Sequence, residues 1–358
     1  MTRSIREPAP SAPSPRAGSI SLKELAARLG LSSATVSLVI NRSPGAKSIP
    51  PGTQERVREA ARKFNYRPNL MARSLRQKRS FTIGVMVPEV SEGYAALVLS
   101  GIEDHLLQEG YFYFVVSHRH RADLLEEYPA LLQQRAVEGL IAVDTILKDS
   151  HAIPAVAISG HHDVPGITRI ILNHKLAAQL ALRHIQRLGH TRIAFIKGQS
   201  FSSDTEIRWN ALHSVAKQLG IAIHEPLTVQ LDSDSPSPEV GYAVTRRLLN
   251  RGEVFTALLA FNDISAIGAI QALRESGKRV PEDISVVGFD DIQSAAYQNP
   301  GLTTVRQPLR QMGVIAAETL LARINSSRKE WYPKEIIVEP EFIVRGSTAC
   351  AKPDTSDS

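Results

Sequence analysis

Beyond Phe81 the chain alternates short apolar runs with segments whose apolar residues recur every three or four positions. The first pattern suits strands buried on both faces, the second helices with one apolar stripe. Their alternation predicts βαβ units and parallel sheets. Strands are predicted at 82–87, 112–116, 139–143, 155–158, 169–172, 192–196, 227–230, 257–260 and 284–288, and helices between them, among others at 97–109, 177–188, 206–219 and 264–276. So many units exceed one comfortable sheet, and two lobes are expected. Ligands of open α/β sheets bind beyond the carboxyl ends of the strands. The residues that follow these strands are Ser91 and Tyr94, Ser159, the stretch from Ser202 to Arg208, Asn262-Asp263 and Asp290-Asp291. Singly, Asn262 and Asp290 read as caps. Together the set suits a polyhydroxylated or amine-bearing ligand, because carboxylates accept from donors and a guanidinium donates.

Before Phe81 the periods are helical. Ser21-Leu22-Lys23-Glu24 has the form of a capping box, and the helix it opens carries Leu22, Leu25, Ala26 and Leu29 on one face until Gly30 stops it. A second helix starts at Ser32-Ser33 and runs to Asn41. Ala26, Gly30 and Val36 are spaced as a tight crossing of two helices requires: a small residue for close approach, a glycine for the turn, a buried aliphatic to lock the second helix. A third helix, 53–64, turns Val57, Ala60, Ala61 and Phe64 inward. Ser33, Thr35 and Ser37 give the start of the second helix a polar face.

Charge changes the picture. From Ser19 to Ser80 there are thirteen Lys and Arg against three Glu, a net of +10. The first eighteen residues add +2, so the remainder must carry −6 of the chain's total of +6. A basic head on a mildly acidic body points to a polyanion partner for the head. The opening stretch is rich in Pro, Ser and Ala and has no apolar core, so it reads as a disordered leader and not as a signal peptide. No apolar run approaches the ~20 residues of a membrane span. Cys350 is the single cysteine, which excludes an internal disulfide and fits a cytoplasmic protein.

The runs SLKELAARLGLSSATVSLVIN and QERVREAARKFNYRPNLMARSLR resemble the LacI/GalR family of bacterial transcriptional regulators, over roughly Ile20 to Ala349. The resemblance implies an α-helical helix-turn-helix head plus hinge helix, joined to a two-lobed α/β periplasmic-binding-protein-like effector domain. Expected boundaries are a leader at 1–18, the DNA-binding domain at 19–66, hinge helix and linker at 67–80, the effector-binding and dimerisation domain at 81–348, and a polar tail at 349–358. By the same resemblance the second helix lies in the major groove. Ser33 and Ala34 then face bases, while Ser32, Thr35, Ser37 and Asn41 touch phosphates. Leu38 stands where the family often has arginine, and the loop from Asn41 to Pro51 is longer than usual. Arg73 lies on the hinge, which in the family folds on DNA, and Leu75 matches a leucine that wedges into a central base step.

For the effector, the resemblance assigns Asp290 in ValGlyPheAspAsp, Asn262, Arg208 and Gln307. Departures are Ser159 in place of an aspartate of several sugar-binding members, Asn173-His174 in place of Asp-Asn, and Ala211 in place of glycine. The helix from Leu309 is expected in the first lobe. The reading is a homodimeric repressor of a pseudo-palindromic operator, controlled by a small molecule such as a sugar, with no membrane partner and no cofactor. Some members answer to a phosphoprotein corepressor instead. An enzyme is the first alternative, but no Ser-His-Asp order, P-loop or dinucleotide glycine pattern appears. His118-x-His120 and His161-His162 have no third metal ligand at useful spacing and read as surface or loop histidines. An exported solute-binding protein, the second alternative, lacks a reason for the basic head.

Overall fold

Ser21 opens the first helix as expected, in a computed structural model that describes residues 20–41, 43–66, 79–90, 93–147, 153–159, 163–233, 235, 237–326 and 332–352. The leader and residues 67–78 of the expected hinge, with Arg73 and Leu75, lie outside the described residues, as does Ser91. The chain divides into two units, Met1–Arg79 and Ser80–Ser358.

In the head, the Glu24 amide donates to Ser21 Oγ (3.2 Å) and the Ser21 amide to Glu24 Oε2 (2.7 Å), so the capping box closes at both ends. Helix α1 (Leu22–Leu29) ends at Gly30, whose φ of 67° is the left-handed cap that glycine adopts most readily. Helices α2 (Ser33–Ile40) and α3 (Pro51–Lys63) complete the unit. Leu25, Ala26, Val36, Val39 and Val57 form its buried centre, with Ala61 and Phe64 partly buried around it. The Arg28 guanidinium lies 4.4 Å from the Phe64 ring centre and covers that aromatic edge.

The body contains strands β1 (Thr82–Val87), β2 (Phe112–Ser117), β3 (Gly139–Val143), β4 (Ala155–Ile158), β5 (Ile167–Leu172), β6 (Ile193–Lys197), β7 (Thr228–Gln230), β8 (Ala257–Leu259), β9 (Ser285–Asp290), β10 (Thr303–Arg306), β11 (Glu335–Val338) and β12 (Glu341–Ile343). Its helices are α4 (Tyr94–Gln108), α5 (Ala122–Gln134), α6 (His174–Arg187), α7 (Ser203–Leu219), α8 (Pro238–Asn250), α9 (Asp263–Glu275), α10 (Gln293–Ala296) and α11 (Leu309–Asn325). One sheet runs β11-β5-β4-β3-β1-β2, the other β12-β10-β9-β8-β6-β7. All pairings are parallel except β10 with β12.

The chain therefore passes between the lobes after β5, after β10 and after β11. Helix α11 returns to the first lobe as expected, where it packs on α4 and on β3, β4 and β5. That crossing is close enough to demand glycine on both helices. A Cβ on Gly101 would stand 1.9 Å from the Arg310 carbonyl, and one on Gly313 would stand 2.2 Å from that of Val98.

The end of the chain differs from expectation. Residues 349–352, read as the start of a polar tail, dock on the second lobe. The Ala349 amide donates to Ser285 Oγ (3.0 Å), the Ala351 amide to the Leu188 carbonyl (2.7 Å), and His190 meets the Ala349 carbonyl (3.0 Å). Hydrogen bonds made by the segment's own backbone, which composition does not reveal, hold it in place. Among the described residues no helix is long and apolar enough to cross a membrane.

Candidate functional sites: a recognition helix and an interlobe cleft

Helix α2 buries Val36 and Val39 and turns Ser32, Ser33 and Ala34 outward. Ser32 Oγ accepts from the Thr35 amide (3.0 Å) and pairs with Thr35 Oγ1 (2.9 Å). No acidic side chain sits in the first turn, so the positive end of the helix dipole is uncompensated and suits an anion. At the other end, Asn41 Nδ2 donates to the Ser37 carbonyl (2.8 Å) and Ser37 Oγ (3.0 Å). Leu38, part-buried like Thr35, Ser37 and Asn41, also meets the loop that follows the helix. The long loop folds into a 3-10 helix, Pro44–Ser48, pinned by Gln54 Nε2 donating to the Ala46 and Ile49 carbonyls at 2.9 Å each. Gly45 of this turn sits against Leu38, where an added Cβ would meet Leu38 Cδ2 at 3.3 Å. Leu38 is thus half-buried as a support for the loop.

In the body, the two lobes face each other across a cavity of about 140 Å³ lined by Tyr94, Asp144, Asp204, Arg208, Asn262 and Asp290, among others. Arg208 and Asp204 pair one turn apart on α7 (3.0 Å), at 7% and 4% exposure. Arg208 Nη1 donates to the Phe261 carbonyl (2.6 Å), and the guanidinium lies 3.8 Å from the Phe289 ring centre and 4.4 Å from that of Phe261. Asp290 is 6% exposed and accepts from Gln307 Nε2 (2.6 Å). Burial pushes its carboxyl up to about 7, although Arg208 and the Gln307 amide pull the other way. Tyr94 Oη pairs with Ser159 Oγ (2.9 Å). Burial, with Asp204 and Asp144 nearby, keeps this phenol protonated far above its ordinary range.

The expected effector residues therefore divide into two sets. Tyr94, Arg208, Asn262 and Asp290 reach the cavity wall, whereas Ser159 and Gln307 are buried partners of Tyr94 and Asp290. Asn262 also caps α9, its Oδ1 accepting from the Ser265 amide (2.9 Å). The neighbouring Asp263 is structural. Its carboxylate accepts from Thr304 Oγ1 (2.6 Å) and the Ile292 amide (2.9 Å), tying α9 to β10 and to the turn after β9.

Sequence reasoning missed Asp144 and the pair His120–Phe201, and within the stretch Ser202 to Arg208 it singled out Arg208 but not Asp204. Asp144 directly follows β3, so the strand-end rule applied there as well. It accepts from Ser203 Oγ of the opposite lobe (2.9 Å), and the rings of His120 and Phe201 meet across the same mouth at 4.2 Å. Asp144, Ser159, Asp290 and His120 all hold positive φ (42°, 58°, 112° and 56°) without being glycine, and such strain gathers at functional sites. His118, read as a surface or loop histidine, lies in the loop after β2 but is 2% exposed and bonds Thr145 Oγ1 (2.9 Å); burial, with His120 beside it, lowers its pKa to about 4. His161 and His162 lie outside the described residues.

Residues 21–69 match the model of bacterial regulatory proteins of the lacI family, and residues 182–348 that of a periplasmic binding protein-like domain. The HTH-type transcriptional repressor PurR of Aliivibrio fischeri (strain MJ11) is 32% identical over 335 residues, covering 91% of this chain and 97% of that protein. A Lac repressor dimer bound to operator and the anti-inducer ONPF is 28% identical with a TM-score of 0.79, covering 93% of this chain and 100% of that one. The transcriptional regulator CelR in complex with cellobiose is 27% identical with a TM-score of 0.68, covering 92% and 99%. Similarity along nearly the whole length, together with the head and the two-lobed body, settles the family: the chain belongs to the lacI family of bacterial regulatory proteins.

Proposed function

We propose that the chain is a homodimeric repressor that binds a pseudo-palindromic operator through α2 and answers to a small polyhydroxylated effector, a sugar or close relative, held between the lobes. The observation that carries this reading is the buried group Arg208, Asp204 and Asp290 on a cavity wall. Buried charge is costly, and its concentration at an interlobe cavity is accounted for by a ligand that exchanges hydrogen bonds with it. The relatives support each half: one solved homologue is a dimer bound to operator, another a complex with cellobiose. A dimer is also favoured by the outer strand β2, which exposes Phe112 (62%), Phe114 (39%) and Val115 (37%) along an unpaired edge.

Ser33 and Ala34 are assigned to base edges, and Ser32, Thr35, Ser37 and Asn41 to phosphates. Arg73 and Leu75 are assigned to the minor groove on the resemblance alone. The cavity carboxylates serve recognition and not catalysis, and the protein acts in the cytoplasm, where its operator lies. Binding to a selected operator duplex across a salt series tests the assignment. The full chain should lose affinity steeply, about 0.9 log units per log unit of salt for each phosphate neutralised. A chain beginning at Phe81 should not bind; retained binding by that chain would overturn the reading.

A further inference from the structure

The loop from Asn41 to Pro51 is where the head departs in length from the family pattern, and it is built to be rigid. Pro44, Pro50 and Pro51 fix φ at three of its positions. The Ala46 amide donates to the Ser43 carbonyl (2.8 Å) and the Ile49 amide to the Ala46 carbonyl (3.0 Å). Ser48 Oγ donates to the Gly45 carbonyl (2.7 Å), and Gln54 of α3 holds the Ala46 and Ile49 carbonyls. Ala46 is buried, whereas Lys47 and Ser48 beside it are exposed. Among the described residues the ion pairs of the head join Arg58 and Arg62 to Glu55, and Lys47 takes part in none. A backbone ordered in advance thus carries a cation that no carboxylate neutralises, which lowers the entropy cost of giving that cation a partner.

The helix period places this turn. Ser33 and Ala34 are exposed in the first turn of α2, and Leu38 follows Ala34 on the same face, because residues four apart are neighbours along a helix. Gly45 sits against Leu38, so the 3-10 helix Pro44–Ser48 extends the reading face of α2 at its C-terminal end. The eight residues of α2 span about 12 Å, roughly the width of a major groove. With the first turn of α2 at the base edges, a segment packed on its last turn stands at the groove wall, where the sugar–phosphate backbone runs. We infer that Pro44–Ser48 is a further DNA-contacting element of the head, which presents the Lys47 ammonium to one backbone phosphate beside the bases read by α2. This rests on the proposed placement of α2 and extends its contacts to a residue outside the helix. Phosphate contacts carry no sequence information, so Lys47 sets the register of the head on the duplex and leaves base choice to α2.

Titration of the full chain on a selected operator duplex across a salt series reads the contact. Lys47→Gln should make the salt dependence shallower by about 0.9 log units per log unit of salt, which is about eightfold in affinity at about 0.1 M salt. Lys47→Arg should keep the wild-type slope. Because the side chain is exposed, both variants should unfold at the wild-type temperature. Duplexes carrying single methylphosphonates then locate the partner. Neutralising one phosphate should weaken the wild type about eightfold and Lys47→Gln not at all, the non-additivity of two groups in contact. An unchanged slope in Lys47→Gln overturns the inference, as do losses from lysine and phosphate that simply add at every position. Failure of the proposed DNA-binding role of the head registers separately, as operator binding that survives in a chain beginning at Phe81.

Discussion

In the head, Ser33 and Ala34 stand exposed on α2 while Val36 and Val39 of the same helix are buried. In the body, Arg208, Asp204 and Asp290 are at once the candidate chemistry and part of the interior, none more than 7% exposed. The two units therefore relate function to stability in opposite ways. A helix that packs one face and reads with the other can change its reading residues without touching its core. A cleft built from buried charges cannot, because each charge is stabilised by the others and by the hydrogen bonds that surround it. On the proposed assignment, recognition of DNA is left free to vary, and recognition of the effector is tied to folding of the second lobe.

The largest expected effect tests that tie. Arg208→Ala leaves Asp204 and Asp290 buried without the guanidinium, and removing one member of a buried charged group costs about 3–5 kcal/mol. Denaturant unfolding of the body should show a loss of that order together with loss of the effector response. Arg208→Met combined with Asp204→Leu should recover much of the stability and none of the response. If Arg208→Ala unfolds like the wild type, the body separates stability from recognition just as the head does, and the contrast fails.

Asp290 sharpens the comparison through pH. Its carboxyl titrates at about 7 in the folded protein and near 4 once unfolded. Between those values the native state holds the extra proton, so stability falls as pH rises and levels off above about 7. Lowering pH from 7.5 to 6 should therefore stabilise the body by on the order of 1 kcal/mol through this group. Asp290→Asn, which cannot ionise, should flatten that part of the profile. An unchanged slope in the variant would place the titration elsewhere.

The sequence made the central architecture legible because buried parallel strands are continuous apolar runs, and nine of those runs appear as β1 to β9 with ends shifted by at most two residues. The three later strands escaped for a physical reason. β10 reads Thr-Thr-Val-Arg, β11 begins with glutamate and β12 has only three residues, so their pairing is decided by neighbours and not by local pattern. Strand-end reasoning reached Tyr94, Arg208, Asn262 and Asp290, since position along a strand is local information. It could not separate residues that line the cavity from those that hold them. That distinction between Asp290 and Gln307, or Tyr94 and Ser159, depends on contacts 17 and 65 positions apart. The contact between Leu38 and Gly45 was equally out of reach, because it depends on how a proline-rich loop folds back.

The smallest effect concerns the head and probes its side of the comparison. Ser32 and Ser33 are adjacent and both exposed, yet they should behave differently. Ser32 caps α2 through the Thr35 amide, so Ser32→Ala should cost about 1 kcal/mol of head stability. Ser33 is the first residue inside the helix, where alanine is the better helix former, so Ser33→Ala should leave stability within about 0.5 kcal/mol of wild type. What Ser33→Ala should change is discrimination: loss of one hydroxyl contact to a base edge weakens operator binding by about 1 kcal/mol. Binding to random duplex, carried by phosphate contacts, should stay level. Thermal unfolding of the head with paired titrations on operator and random DNA reads all three quantities. A Ser33→Ala protein that loses stability, or that weakens on both duplexes alike, would show that reading and packing are not separated on α2.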